Sequence, residues 1–263
     1  MAGCVPGCTC RGKLRMTLPT CPVCLGTRSQ FFISDNGYEL FSCTNCGTVY
    51  VYPLPSADDA RALYSDIYHN ATTSYFAKIE KMMRRSRHRV RLLQRYVGGG
   101  RFLDVGCSGG FMVEAAREAE FAAVGIDLDR PSIDYARRHY PANEFHCGTV
   151  EDLAATAPDP FDLVYTSEVI EHLPQVRSFC EHISNLLRLG GVLYITTPDI
   201  THWRRPRDVR QWDGFGPPAH LIYFNPKALT DLLAEFGLML VRRRVAWKPG
   251  IKLICRKIGA AAG

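Results

Sequence analysis

Two cysteine pairs with the same two-residue gap, Cys21/Cys24 and Cys43/Cys46, stand 18 residues apart. Four thiolates at that spacing make a tetrahedral zinc site, and because they fill the coordination shell the ion is structural rather than catalytic. The residues between the pairs, among them Phe31, Phe32, Asn36, Gly37, Tyr38 and Phe41, suit a hairpin joining two knuckles. Disulfides are the competing use of these thiols, and the absence of a secretory signal argues against them. Cys4, Cys8 and Cys10 lack a fourth partner and read as part of a flexible tail.

A second set of residues lies between Phe102 and Asp129, where an apolar strand breaks into a turn with Gly106, Gly109 and Gly110, then a helix, then a strand ending in acid. Glycines there let the backbone approach a ligand at a helix N-terminus. Asp127, 21 positions after Gly106, stands where a carboxylate can accept the hydroxyl protons of a ribose. Ser108 occupies the second glycine position of a dinucleotide fingerprint and Asp104 precedes the turn, which suits a ligand without phosphate. S-adenosylmethionine, with an ammonium and a carboxylate, matches those charges better.

The run DVGCSGG followed by GIDLD resembles motif I and its successor in class I S-adenosylmethionine-dependent methyltransferases. CGTVEDL (147–153), FDLVYTSEVIEHLP (161–174), LLRLGGVLYITTP (186–198) and HLIYFNPKALTDLLAEFGL (220–238) continue the resemblance in the family's order. CTNCGTVYVYPLPSADDARALYSDIYHN is similar to the ribbon and linker of bacterial methyltransferases from sugar and secondary-metabolite pathways. The resemblance implies cofactor contacts from Asp104, Gly106, Cys107, Ser108, Gly110, Asp127, Leu128, Val150, Glu151 and Ser167. It also implies a seven-stranded, doubly wound Rossmann-like α/β sheet closed by a C-terminal antiparallel hairpin.

Glu168, Glu171 and His172 form an E-x-x-E-H group directly after the fourth strand, at the sheet edge where ligands of this fold sit. In a helix, Glu168 and Glu171 would share a face with His172 beside it, able to hold a divalent ion or place a base. The ubiquinone-pathway O-methyltransferases that this segment resembles use the same pattern for a metal ion that polarises the acceptor hydroxyl. The competing role for Glu171 and His172 is to anchor the loop before Pro174. His172 is the expected base, oriented by Glu171, with His220 lining the acceptor pocket as the alternative base.

These residues need elements to position them. A flexible tail (1–16), a zinc ribbon (17–52), a linker and helical cap (53–97) and a cofactor-binding domain (98–263) divide the 263 residues. Strands are expected near 101–105, 122–127, 143–147, 161–166 and 191–197, with a final hairpin of 239–247 and 251–258 turning at Pro249-Gly250. Between Lys78 and Val97, Ile79, Met82, Met83, Val90, Leu92, Leu93 and Val97 predict a helix with one buried face. Its arginines Arg84, Arg85, Arg87 and Arg91 carry much of the net charge of +6 and form either a solvated face or an attraction for an anionic substrate. No stacking aromatics interleave them, which weakens a nucleic-acid reading. No apolar run approaches the roughly 18 residues of a membrane span, and eleven cysteines without a signal peptide point to the cytoplasm. The expected function is transfer of a methyl group to the oxygen or nitrogen of a small molecule. A zinc-ribbon module that binds RNA or protein, or an RNA methyltransferase, is the alternative.

Overall fold

The computed structural model describes residues 20–60 and 79–259. Cys4, Cys8 and Cys10, and most of the expected cap between 57 and 78, lie outside the described residues. The N-terminal strands β1 (Ser29–Asp35) and β2 (Tyr38–Cys43) pair antiparallel across Asn36-Gly37, both at positive φ, as a tight hairpin turn requires. Strand β3 (Val49–Tyr52) pairs with β2.

Helix α1 (Ile79–Val97) follows, burying Met83, Ser86, Val90 and Leu93, an i, i+3, i+7, i+10 stripe. Ile79, expected on that face, is exposed because the stripe starts a turn later. The alternation that comes next, β4 (Gly100–Val105), α2 (Phe111–Glu118), β5 (Phe121–Asp127), α3 (Arg130–His139), β6 (Glu144–Cys147), α4 (Val150–Ala155), β7 (Phe161–Ser167), α5 (Val176–Leu186) and β8 (Leu187–Thr197), matches the expected strands within a few residues. Strand β9 (Ile222–Tyr223), helix α6 (Pro226–Glu235), β10 (Leu238–Arg243) and β11 (Ile251–Lys257) complete the chain.

The large sheet has seven strands in the order β10-β11-β8-β7-β4-β5-β6, with β11 antiparallel to both neighbours and the other described pairings parallel. From β4 the chain winds outward to β6, then returns to β7 on β4's other side. The carboxyl ends of β4 and β7 therefore flank a crevice at the switch point, where open α/β sheets bind ligands. On one face α1 and α2 pack Leu93, Val90, Phe111 and Met112 over Phe102, Tyr165, Tyr194 and Ile254. Each such fully buried apolar side chain contributes about 1.5–3 kcal/mol.

The other face belongs to a core that does not stop at the sheet. It runs from Leu103, Val164 and Ile195 through Phe179 and Leu229 to Ile222 and Tyr223, then into Tyr50, Leu40 and Cys21 of the ribbon. The ribbon's sheet is correspondingly four-stranded, in the order β1-β2-β3-β9, its last strand supplied from the C-terminal half of the chain. One detail departs from expectation: β10 ends at Arg243 rather than near Trp247. Its partner β11 begins opposite Thr197, the last residue of β8, so among the described residues no third strand supports the hairpin tip beyond. There Trp203 and Trp247 stand exposed, with the Arg204 guanidinium lying over both rings.

Candidate active site

The turn after β4 is shaped by side chains that reject a Cβ. Gly106 has φ +80, and a Cβ there would stand 2.4 Å from Cγ2 of Val169. Gly110 caps α2 in the left-handed region, and its Cα faces Phe145 and Ala136 rather than the crevice. Of the expected cofactor residues it alone acts only on the turn; the other nine line two adjoining cavities. Ser108 is itself left-handed, φ +44, and donates its N–H to Oδ2 of Asp127 at 2.8 Å. Oδ1 of Asp127 accepts from Asp129 at 2.9 Å, so the carboxylate is fixed and its remaining lone pairs face the cavity.

One cavity, of about 350 Å³, is lined by Asp104, Gly106, Cys107, Ser108, Asp127 and Ser167, together with Met82, Ser86 and Arg89 of α1. Oδ1 of Asp104 is buried there, and no group among the described residues hydrogen-bonds it. Burial, and then the charge of Asp127, push its carboxyl well above the ordinary range, while Arg89 pulls the other way. The second cavity, of about 170 Å³, is bounded by Leu128, Thr149, Val150, Glu151, Val169, Leu173 and His172. Thr149 and Asp152 form a capping box that fixes the start of α4 at its rim. The two share Gly106, Asp127 and Val169.

S-adenosylmethionine fits this donor set. Asp104 would offer the ammonium an oxygen that is buried and unpaired among the described residues, Asp127 would offer acceptors to the ribose, and Leu128 and Val150 would border the adenine.

The segment after β7 is not the helix that the E-x-x-E-H spacing allowed. Glu168 is left-handed, φ +58, and only Ile170–His172 form a single 3-10 turn. Each carboxylate is held by a threonine: Glu168 accepts from Thr196 Oγ1 at 2.9 Å and Glu171 from Thr197 Oγ1 at 2.9 Å, and the two remain in contact with each other. The group whose ligand atoms lie within 4.8 Å of one another is Glu171, His172 and His220, without Glu168. His172 donates Nδ1–H to the Ala219 carbonyl at 2.5 Å and also hydrogen-bonds the Glu168 backbone, so the ring is oriented by backbone groups; its Nε2 lies 4.0 Å from Oε1 of Glu171. His220 meets the His172 ring edge to face at 4.7 Å and donates its own Nδ1–H to Gly214. Burial, then His220, lowers His172 to about 4. Burial also lowers His220 and raises Glu171 well above its usual range, the latter helped by Glu168.

The basic helix takes the solvated-face alternative for the four arginines that the sequence singled out. Arg84, Arg85 and Arg91 are exposed, and Arg87 is paired with Glu118 at 2.6 Å. Arg89 is the arginine that faces the cavity, donating to the Tyr165 hydroxyl, with Tyr165 stacked on Tyr194. Its signal was the Met82, Ser86, Arg89 spacing, which shares a face with the buried stripe. In the ribbon, Cys21 and Cys46 sulfurs are 3.7 Å apart and Cys24 and Cys43 3.6 Å. A tetrahedron of Zn–S bonds of about 2.3 Å has edges of about 3.8 Å, so the four thiols have the geometry of a zinc site.

A sheet of this order, with an acidic cofactor crevice at the ends of β4, β5 and β7, defines the class I S-adenosylmethionine-binding methyltransferase fold. A family model for a methyltransferase domain matches residues 75–243, and the chain belongs to that family. It is 37% identical over 105 residues to a ubiquinone biosynthesis O-methyltransferase of Neisseria meningitidis serogroup C, covering 38% of this chain and 44% of that protein. The like-named enzyme of Idiomarina loihiensis is 31% identical over 159 residues, covering 54% and 65%. The chain thus spans about half the length of these relatives. Among solved structures, Burkholderia thailandensis 1,6-didemethyltoxoflavin-N1-methyltransferase with bound S-adenosylhomocysteine shares the fold at a TM-score of 0.59 and 16% identity, over 88% of this chain and 100% of that one. Magnesium protoporphyrin IX methyltransferase of Synechocystis PCC 6803 does so at 0.57 and 13%, over 75% and 99%. Among the described residues, no helix is long and apolar enough to cross a membrane.

Proposed function

We propose that the protein is a methyltransferase that moves a methyl group from S-adenosylmethionine to an oxygen or nitrogen of a small-molecule acceptor, a sugar or secondary-metabolite intermediate. The observation that carries this reading is the pairing of the buried Asp104 oxygen, unpaired among the described residues, with Asp127 in one cavity, while His172 opens into the cavity adjoining it. The similar proteins named for small-molecule acceptors support the acceptor class.

When bound, S-adenosylmethionine supplies an electrophilic methyl on sulfonium. The chain's own part is alignment, exclusion of water and the fate of one proton. Asp104 and Asp127 fix the two ends of the cofactor. His172, neutral because burial holds it near 4, borders the second cavity and is the proton acceptor in this reading. So weak a base cannot ionise a hydroxyl beforehand. It accepts the proton late, as bonding to carbon makes the acceptor acidic. His220 lies outside the lining of both cavities, packs against the His172 ring and helps keep it uncharged. The four ribbon cysteines hold one structural zinc ion.

Calorimetry with S-adenosylhomocysteine tests the cofactor half of this reading. One site per chain is expected, with affinity weakened in Asp127→Ala by about 1–3 kcal/mol as the ribose hydroxyls lose their acceptor. Absence of binding by the wild-type protein would refute it.

A further inference from the structure

The ribbon reaches the active site through a continuous run of hydrogen bonds. At the second cysteine knuckle, the Cys46 carbonyl accepts from Nδ2 of Asn225 at 2.7 Å, while Oδ1 of the same side chain accepts from Ala228 and caps α6. Gly47, at φ +74, makes room for that contact: a Cβ there would stand 3.1 Å from the Asn225 nitrogen. The chain leaving the knuckle becomes β3, which pairs with β9 through Val49–Tyr223 and Tyr50–Ile222. Val51 N–H extends the pairing to the Leu221 carbonyl at 2.9 Å. Leu221 N–H in turn donates to the Glu171 carbonyl at 2.8 Å. Two residues before Leu221 is Ala219, whose carbonyl holds Nδ1 of His172. A ribbon that served only as an appended binding module would need none of these links.

We infer that the ribbon is a positioning part of the methyl-transfer site, in which the metal-closed Cys43–Cys46 knuckle, acting through Asn225 and the β3–β9 pairing, holds the Ala219 carbonyl that orients His172. This rests on the proposed roles of His172 and of zinc. Asn225 touches neither cofactor nor acceptor; it is a positioning residue. Four thiols without an ion do not hold a knuckle, so loss of zinc releases Cys46, then the start of β3, then the Ala219–Tyr223 segment. His172 then loses the Ala219 carbonyl that holds its Nδ1–H, keeping only its contact with the Glu168 backbone.

The test uses the full chain loaded with S-adenosylhomocysteine and labelled with 15N-histidine, in three states: zinc-replete, zinc-stripped by a chelator, and zinc-replete Asn225→Asp. That substitution keeps an oxygen for the α6 cap but removes the donor to Cys46. The expected result is one narrow set of ring-nitrogen signals for His172 in the first state and shifted or exchange-broadened signals in the other two. Hydrogen exchange at the Leu221 amide should quicken about tenfold, as for local opening by the loss of one or two hydrogen bonds, with cofactor affinity unchanged. An unaltered His172 signature after stripping and in Asn225→Asp overturns the inference. Loss of cofactor binding in Asn225→Asp overturns it too, because the link would then support the whole fold rather than this segment. Failure of the wild-type, zinc-replete protein to bind S-adenosylhomocysteine is a different outcome: it removes the cofactor reading and, with it, this inference.

Discussion

Replacing Asp104 by Asn removes a charge from the cofactor crevice with little change of shape. In the unliganded protein Oδ1 of Asp104 is buried with no hydrogen-bond partner among the described residues, and burial and Asp127 together push the carboxyl well above its ordinary range. A bound ammonium favours the ionised form. The charge-assisted hydrogen bond it gains is worth about 1.5–3 kcal/mol, so Asp104→Asn should weaken S-adenosylhomocysteine binding by roughly 10- to 150-fold. The pH dependence has a definite sign. Because the free carboxyl keeps its proton to higher pH than a solvated one, binding must expel that proton, and wild-type affinity rises with pH until the carboxyl ionises unaided. The variant starts lower and loses most of that slope, keeping only what Asp127 contributes. Calorimetry in buffers of different ionisation enthalpy reads affinity and proton release together. Wild-type affinity in the variant, or a wild-type protein that binds without releasing a proton, would refute the assignment of Asp104 to the ammonium.

The remaining predictions concern the base and the ribbon. His172→Ala should lower turnover about 100-fold or more while leaving cofactor affinity nearly intact; near-normal turnover there, with collapse in His220→Ala, would transfer the role to His220. Elemental analysis of purified protein should find about one zinc per chain, lost in Cys43→Ser; a metal-free ribbon that keeps its fold would sink the zinc assignment.

The cofactor crevice was legible in the sequence because its determinants are local. Gly106, Ser108 and Asp127 sit in one β-α-β unit, where the turn's steric demands and the strand-end acid fall at fixed spacings. The acceptor side was less so. Ala219 and His220 reach His172 across 47 and 48 residues, and no periodicity encodes that meeting. The helical reading of Glu168–His172 failed because Glu168 adopts a left-handed backbone, and Thr196 and Thr197 each hold one of the two carboxylates. The ribbon was recognisable from its cysteines, but β9 is only two residues long and shows no strand signal of its own. Its pairing with β3 is set by tertiary packing of Ile222 and Tyr223 against Tyr50. Arg89 was hidden among exposed arginines until helix phase separated it from them.

The central claim is that this crevice delivers methyl groups to small molecules and depends on His172 to do so. It is tested most directly by incubating the zinc-replete protein with methyl-labelled S-adenosylmethionine and, separately, with a low-molecular-mass metabolite extract and with total RNA over a range of salt. Label is expected in the small-molecule fraction, abolished in His172→Ala, and none in RNA at any salt. Label confined to RNA, falling steeply with salt as phosphate contacts are screened, would contradict it.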